Sequence, residues 1–480
     1  MPLSRRALIG LAMNGSLAGL ADTAAAQGGG RSAGDSRRGH FRAIVIGSGS
    51  GGSVAALRLG RVGVDTLVLE RGREWPVAPE RPVLGSAHGI TDTMFWRRAT
   101  ARWPAMLPVP VRPGTGVMEV SQESGLDIAC AAAVGGGSVV YTGVTLAPPR
   151  RYFETLYPAG LRYDAFLHTC FPKVRAMLGA STLPGDIYRS APFTHSRVWD
   201  RQVRRASWRT FPLHSTFDWS VIRRELAGGA PLSATVGQSD FGCGNGAKKS
   251  LTRSYLPAAV ATGHVRLRPH HEVVSLRPRR RGGYLVGVHR LDTDGSVVGE
   301  RELSCDMLFV AAGTLNTNRL LVAARERGDL PDLSAGIGTG FGDNGDQLNL
   351  RSQPLVFHGG SQAAPSASAA FLHHEFALPP LVENWMLPSC EALPAVVSFG
   401  VTVDHDHGGR FRYDRAAGRV HLSDWTGDKS AAAASAMHYY STRVALAKSW
   451  LPGNVGGANP SLTIAALAEH ALAGIVAAGG

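Results

Sequence analysis

The stretch AIVIGSGSGGSVAALRLGRVG, residues 43–63, constrains this chain more than any other. A β-branched run, Phe41 to Ile46, breaks into glycines and continues with the apolar spacing of a helix. Gly47, Gly49 and Gly52 satisfy G-x-G-x-x-G, and Val64 to Leu69 supplies a second strand that ends in Glu70. Strand, turn, helix, strand and acid in this order predict a dinucleotide site. Gly47 permits the tight turn, Gly49 lets backbone approach a pyrophosphate, and Gly52 lets helix pack on strand. The helix N-terminus offers N–H groups to the phosphates, and Glu70 is placed to accept from ribose hydroxyls. FAD and nicotinamide dinucleotides use the same contacts, so this unit alone leaves both open.

Later segments narrow the choice. AVGGGSVVYTGV, Ala133 to Val144, puts Gly135, Gly136 and Gly137 before Ser138, a backbone that can lie against a flat ring or a phosphate and equally a plain glycine-rich loop. HEVVSL and YLVGVHRL read as a hairpin around the run Arg277 to Arg281, a solvated turn rather than a nucleic-acid patch. Met307 to Val310 reads as a buried strand that enters a helix near Asn316 to Arg319, a second return to the cofactor. The 480 residues carry a net charge of +13, but Lys and Arg are spread along the chain, so no nucleic-acid partner is expected. Five separated cysteines show no metal-ligand spacing, and no metal is expected.

The N-terminal segment, with Arg5-Arg6, a short apolar run and Ala24-Ala25-Ala26, predicts a twin-arginine export signal over 1–26 and a linker over 27–39. The expected fold is α/β (α+β): a Rossmann-like dinucleotide-binding domain from 40–152, 241–345 and 441–480, interleaved with a substrate domain built on a mostly antiparallel sheet from 153–240 and 346–440.

The residues are similar to those of the glucose-methanol-choline oxidoreductases, in the cholesterol oxidase branch with non-covalent FAD. The resemblance rests on the opening unit through LERG, on VGGGSVVYTGVTLAPPRRYFETLYP, on KKSLTRSYLPAAVATGHV, on the segment from GGYLVGVHRL to GDLPDL, and on the closing LPGNVGGANPSLTIAALAE. It implies FAD held by Gly47, Gly49, Gly52 and Glu70, with Gly135, Gly136, Gly137 and Ser138 beside pyrophosphate and flavin, and Val273 placing its backbone against the adenine. It implies oxidation of a steroid 3β-hydroxyl by hydride transfer to flavin, with O2 as acceptor, and isomerisation of the ring double bond by a glutamate. HHEFALPPLVENW nominates Glu375 as that general base, with Glu383 as its near competitor. Asn459 matches the asparagine that contacts flavin and substrate, and is also placed to cap the following helix.

The chain departs from the family where the catalytic histidine belongs. No His-Pro pair occurs anywhere in it, and neither His421 nor His438 has a matching context. Tyr141 stands where the family has an asparagine, and Ala447-Lys448 replaces Asp-Gly, although RVALAKS still reads as a strand. Three readings follow: an exported FAD-dependent alcohol oxidase acting on a 3β-hydroxysteroid such as cholesterol, a catalytically impaired, likewise exported FAD-binding or lipid-binding paralogue, and a nicotinamide-linked dehydrogenase. For the first, the basic charge suits transient contact with the anionic membranes from which a sterol is drawn.

Overall fold

The structure is a computed structural model of the chain. It describes residues 39–78, 94–97, 100–101, 109–110, 112–123, 126–352, 362–372, 376, 380–386, 395–401, 408–444 and parts of 465–472. The export signal, all of the linker but Gly39, and the site candidates Glu375 and Asn459 lie outside the described residues.

In chain order, β1 (His40–Ile46), α1 (Ser50–Arg61) and β2 (Thr66–Leu69) form the opening unit. The hairpin β3 (Met118–Glu123) and β4 (Leu126–Ala131) precedes a short 3-10 turn at Gly136–Val139. Then come α2 (Phe171–Leu178), α3 (Thr194–Arg205), β5 (Thr210–Pro212), α4 (Trp219–Leu226) and α5 (Tyr255–Val260). β6 (Val265–Arg268), β7 (His271–Pro278), β8 (Tyr284–Leu291) and β9 (Val297–Val310) lead into α6 (Gly313–Glu326). The last described elements are β10 (Gln347–Ser352), β11 (Ser368–Phe371), β12 (Leu381–Trp385), β13 (Ala395–Val401), β14 (Gly409–Asp414), β15 (Arg419–Ser423) and α7 (Ala431–Val444).

Six strands make the first large sheet, in the order β6-β2-β1-β9-β8-β7. The first four run parallel, with Ile44 opposite both Leu67 and Leu308, and β8 and β7 continue antiparallel. Every residue of β2 is buried because helices cover both faces, which is why these strands read as unbroken apolar runs. Val45, Val68 and Val265 pack on one face with α1 and α5, and Ile44 and Leu67 on the other with Leu320 and Leu321 of α6. The hairpin turn is where the arginine run predicts it: Arg279 N–H donates to Gly283 O at 2.9 Å, and Arg280 and Arg281 are exposed.

The second large sheet, β10-β13-β12-β11-β5, is antiparallel throughout. One face carries Val382, packed with Val198 and Trp199 of α3 and Met437 and Tyr440 of α7. The other carries Ala369 and Leu381, packed with Leu213, Phe211 and Phe371, and with Val144 and Leu146 of the segment that leaves the 3-10 turn. The strand expected in RVALAKS is corrected at its start: Arg443 and Val444 end α7. Buried Ala433, Ala436, Met437, Tyr440 and Val444 keep helical spacing through to that residue, and the preceding alanines favour the helix.

Candidate active site

Two glycine turns meet at the C-terminal ends of β1 and β4. Gly47 has φ of +93°, and a Cβ there would lie 2.4 Å from Ala311 O, at the return from β9. A Cβ on Gly136, φ +50°, would lie 2.8 Å from the Cα of Gly49. Backbone therefore touches backbone, leaving no room for a side chain between the turns. Gly49 caps α1 without a side-chain hydrogen bond, so the first N–H groups of the helix remain for a ligand. Gly52 serves packing: a Cβ there would stand 1.9 Å from Gly47 O.

Glu70 joins the two turns through Ser48. Its Oε2 accepts from Ser48 N at 3.0 Å and Ser48 Oγ at 2.7 Å, and its Oε1 from Gly72 N at 2.8 Å. Ser48 Oγ in turn accepts from Gly135 N at 3.0 Å. The expected ribose acceptor is thus a buried carboxylate whose Oε1 keeps a further lone pair for a hydroxyl. Ser138 Oγ donates to Gly135 O at 2.7 Å and accepts from Leu251 N at 2.9 Å, tying the second turn to the loop before α5. Val273 has a buried side chain and pairs with Val288 across the hairpin. Because β7 is an edge strand, its other backbone row is free of the sheet.

Beyond the turn, Tyr141 N donates to Gly137 O at 2.9 Å, and the phenol meets Thr216 Oγ1 at 2.6 Å. Burial pushes that phenol well above its ordinary range, so it stays protonated. Lys248 Nζ donates to Tyr141 O at 2.6 Å. The loop carrying Lys248 is held by Glu225 of α4, whose carboxylate accepts from Ser233 N, Ala234 N, Thr235 N, Thr235 Oγ1 and Asn245 Nδ2. Sequence reasoning missed Ser48, Glu225 and Lys248 as site builders. The signal at hand was GCGNGAKKS, a second glycine-rich loop with a lysine inside it.

The structure brings Gly47, Gly49, Gly52, Glu70, Gly135, Gly136, Gly137 and Ser138 together. Glu383, the competitor of Glu375, is buried in β12 between Ala369 and Phe399. Alternation along the strand puts it on the face of Leu381, away from Asn384, which bonds Ser196 on the α3 side. His421 lies on β15 opposite Arg412, and His438 on the exposed side of α7. Of the five cysteines, Cys130, Cys170, Cys243 and Cys305 are free thiols. Among the described residues no cluster fit for a metal ion occurs.

The sequence and the fold have counterparts among known proteins. The GMC oxidoreductase family profile matches residues 41–324. A cholesterol oxidase of Mycobacterium tuberculosis is 28% identical over 316 residues, covering 62% of this chain and 50% of that protein. A cholesterol oxidase of Acinetobacter baumannii is 24% identical over 336 residues, covering 64% and 54%. The matches thus span about half the length of these curated relatives. Pyridoxine 4-oxidase from Mesorbium loti has the same fold, with a TM-score of 0.54 and 15% identity over 89% of this chain and 86% of that one. FAD is the cofactor of such proteins, and a cradle that admits only backbone, with a helix N-terminus open beneath it, fits its pyrophosphate. On sequence and site together, the chain belongs to the GMC oxidoreductases.

Proposed function

We propose that this protein is an FAD-dependent alcohol oxidase whose substrate is a 3β-hydroxysteroid of the cholesterol class, with O2 as acceptor. One observation carries the reading. The segment leaving the second glycine turn, Val144 to Leu146, runs from the FAD cradle onto the face of the antiparallel sheet that holds Leu381, Phe211, Phe371 and the buried Glu383. An apolar wall with a carboxylate in it suits a large apolar substrate with one reactive end. The likeness to two cholesterol oxidases supports the same class.

Bound FAD supplies the acceptor for the hydride removed from the alcohol carbon. The chain's own residues would orient the reaction: the backbone of the glycine turns would hold the cofactor's pyrophosphate, and the sheet face would wall the substrate off from water. Its burial beside that wall supports Glu383 as the base that moves a proton between ring carbons, the role that the resemblance gave first to Glu375. Substituting each with Gln separates them. Glu383→Gln is expected to keep alcohol oxidation and lose the conjugated-enone absorbance of the isomerised product. If Glu375→Gln alone has that effect, the base is Glu375.

The test of the whole reading is anaerobic addition of cholesterol to the FAD-loaded protein. Bleaching of the visible flavin bands, then peroxide on admitting O2, is expected. A second reading, an impaired FAD-binding paralogue, is favoured by the lack of any His-Pro pair and by the phenol of Tyr141 in place of an asparagine amide. Stable flavin binding with no bleaching by any 3β-hydroxysteroid decides for it. Export by the Arg5-Arg6 signal is common to both readings and is tested by fractionating cells that carry Arg5→Lys, Arg6→Lys.

A further inference from the structure

The segment that leaves the second glycine turn is anchored from outside itself. Gly143 has φ of +83°, and a Cβ there would lie 2.9 Å from Phe217 Cε2, so the chain bends at a position that suits only glycine. Beyond the bend, Val144 and Leu146 pack with Leu213, Ala369 and Leu381 of the sheet face, and Thr145 between them is wholly buried. Val144 forms an antiparallel bridge with Ser215. Thr145 N donates to His214 O at 2.8 Å, and Thr145 Oγ1 donates to the same carbonyl at 3.1 Å.

The carbonyl of Thr145 has a different partner. Arg175, in the last turn of α2, donates to it through Nε at 3.1 Å and Nη2 at 2.9 Å. Two prongs of the guanidinium thus close on one backbone oxygen. Among the described residues no carboxylate pairs with Arg175, and burial pulls its pKa below the ordinary arginine value. A cation in the last turn suits the helix dipole, but an exposed lysine serves that purpose equally well. Partial burial without a counter-ion costs free energy, which the two charge-assisted hydrogen bonds to Thr145 O offset.

We propose that Arg175 is a positioning residue for the substrate: by holding Thr145 O it fixes Val144 and Leu146 against the sheet face and sets how tightly the steroid is bound. The inference rests on the steroid reading of the substrate. Lys248 holds the segment before the bend, at Tyr141 O, where it still belongs to the FAD cradle. Arg175 holds it after the bend, so loss of Arg175 reaches the wall and not the cradle. Tyr163 OH donates to Pro148 O at 2.9 Å, past the last wall residue, and supplies an anchor of the same segment that the substrate does not need.

The test uses the full chain loaded with FAD and three variants: Arg175→Met, Arg175→Lys and Tyr163→Phe. The probe is a 3-ketosteroid, which has no 3-hydroxyl left to oxidise, titrated against the visible flavin bands so that binding is read without turnover. Arg175→Met keeps the apolar stem and deletes both donors. It is expected to bind FAD as wild type does and the steroid about tenfold or more weakly. Arg175→Lys, with a point charge in place of the fork, is expected to recover part of the loss, and Tyr163→Phe to bind both ligands as wild type. Unchanged steroid affinity in FAD-loaded Arg175→Met overturns the proposal. An equal loss of FAD affinity overturns it too, because Arg175 then supports the fold as a whole. The same holds for an equal loss of steroid affinity in Tyr163→Phe, because any anchor along the segment then serves. A wild type that binds FAD but no 3-ketosteroid overturns the steroid reading itself and this inference with it, a result distinct from the other three.

Discussion

Glu70 shows what a single side chain contributes here. Its two oxygens take three donors from two segments, and Ser48 relays the contact to Gly135. Glu70→Ala leaves those donors buried without an acceptor, a loss of about 1–3 kcal/mol for the group, on top of its loss to the cofactor. Glu70→Gln, which keeps one carbonyl oxygen, is expected to lose less in both urea unfolding and FAD titration. Gly52→Ala puts a methyl 1.9 Å from Gly47 O and is expected to cost about 3 kcal/mol, since neither backbone can yield without moving β1 or α1. An unchanged urea midpoint in Gly52→Ala contradicts that packing. The glycine triplet was legible because its constraint is local, written in φ angles and in contacts a few residues apart. Ser48 to Gly135 and Lys248 to Tyr141 join positions about a hundred residues apart, and no local pattern marks such a pair.

At the scale of elements, α3 meets β12 through a buried polar knot. His195 is fully buried, with Nε2 at 3.3 Å from Ser196 Oγ and 3.4 Å from Asn384 Nδ2. Burial outweighs its hydrogen bonds and pushes its pKa from 6.5 down to about 4. The sign follows: between those values the unfolded chain binds the proton and the folded one does not, so stability falls as pH drops from 6.5 toward 4. The contribution present above that window is on the order of 3 kcal/mol. His195→Asn is expected to flatten the pH dependence of the urea midpoint within it, whatever its effect at neutral pH; an equally steep dependence shows that another group titrates there. The strands of the first sheet were legible as apolar runs between turn signals, whereas Thr210–Pro212 and Gln347–Ser352 of the second are short or polar and carry no such run. The helical Arg443 and Val444 were not, because a short run of β-formers cannot show that a helix before it still has a buried face to complete.

For the whole molecule, the last described helical residues return to the first helix. Glu469, whose carboxylate is almost wholly buried, pairs with Arg58 of α1 and with Lys173 of α2 at 2.9 Å, and accepts from Tyr255 OH of α5 at 3.2 Å. Arg58 Nε reaches it at 2.7 Å across 411 residues of sequence. Removing Glu469 takes away the buried member of the cluster: Lys173, 44% exposed, turns to water, while Arg58 and the Tyr255 hydroxyl lose an acceptor, a loss of about 1–3 kcal/mol. A contact of such separation requires closure of a loop of 411 residues, so it forms after the local βα units. Glu469→Ala is therefore expected to leave the refolding rate near wild type and to speed unfolding about tenfold or more, the kinetic equivalent of that loss. Slowed refolding instead would place the chain's two ends together in the folding nucleus. Glu469→Gln, which can still accept from Tyr255 and Arg58, is expected to fall between, dividing the charge of the pair from its hydrogen bonds.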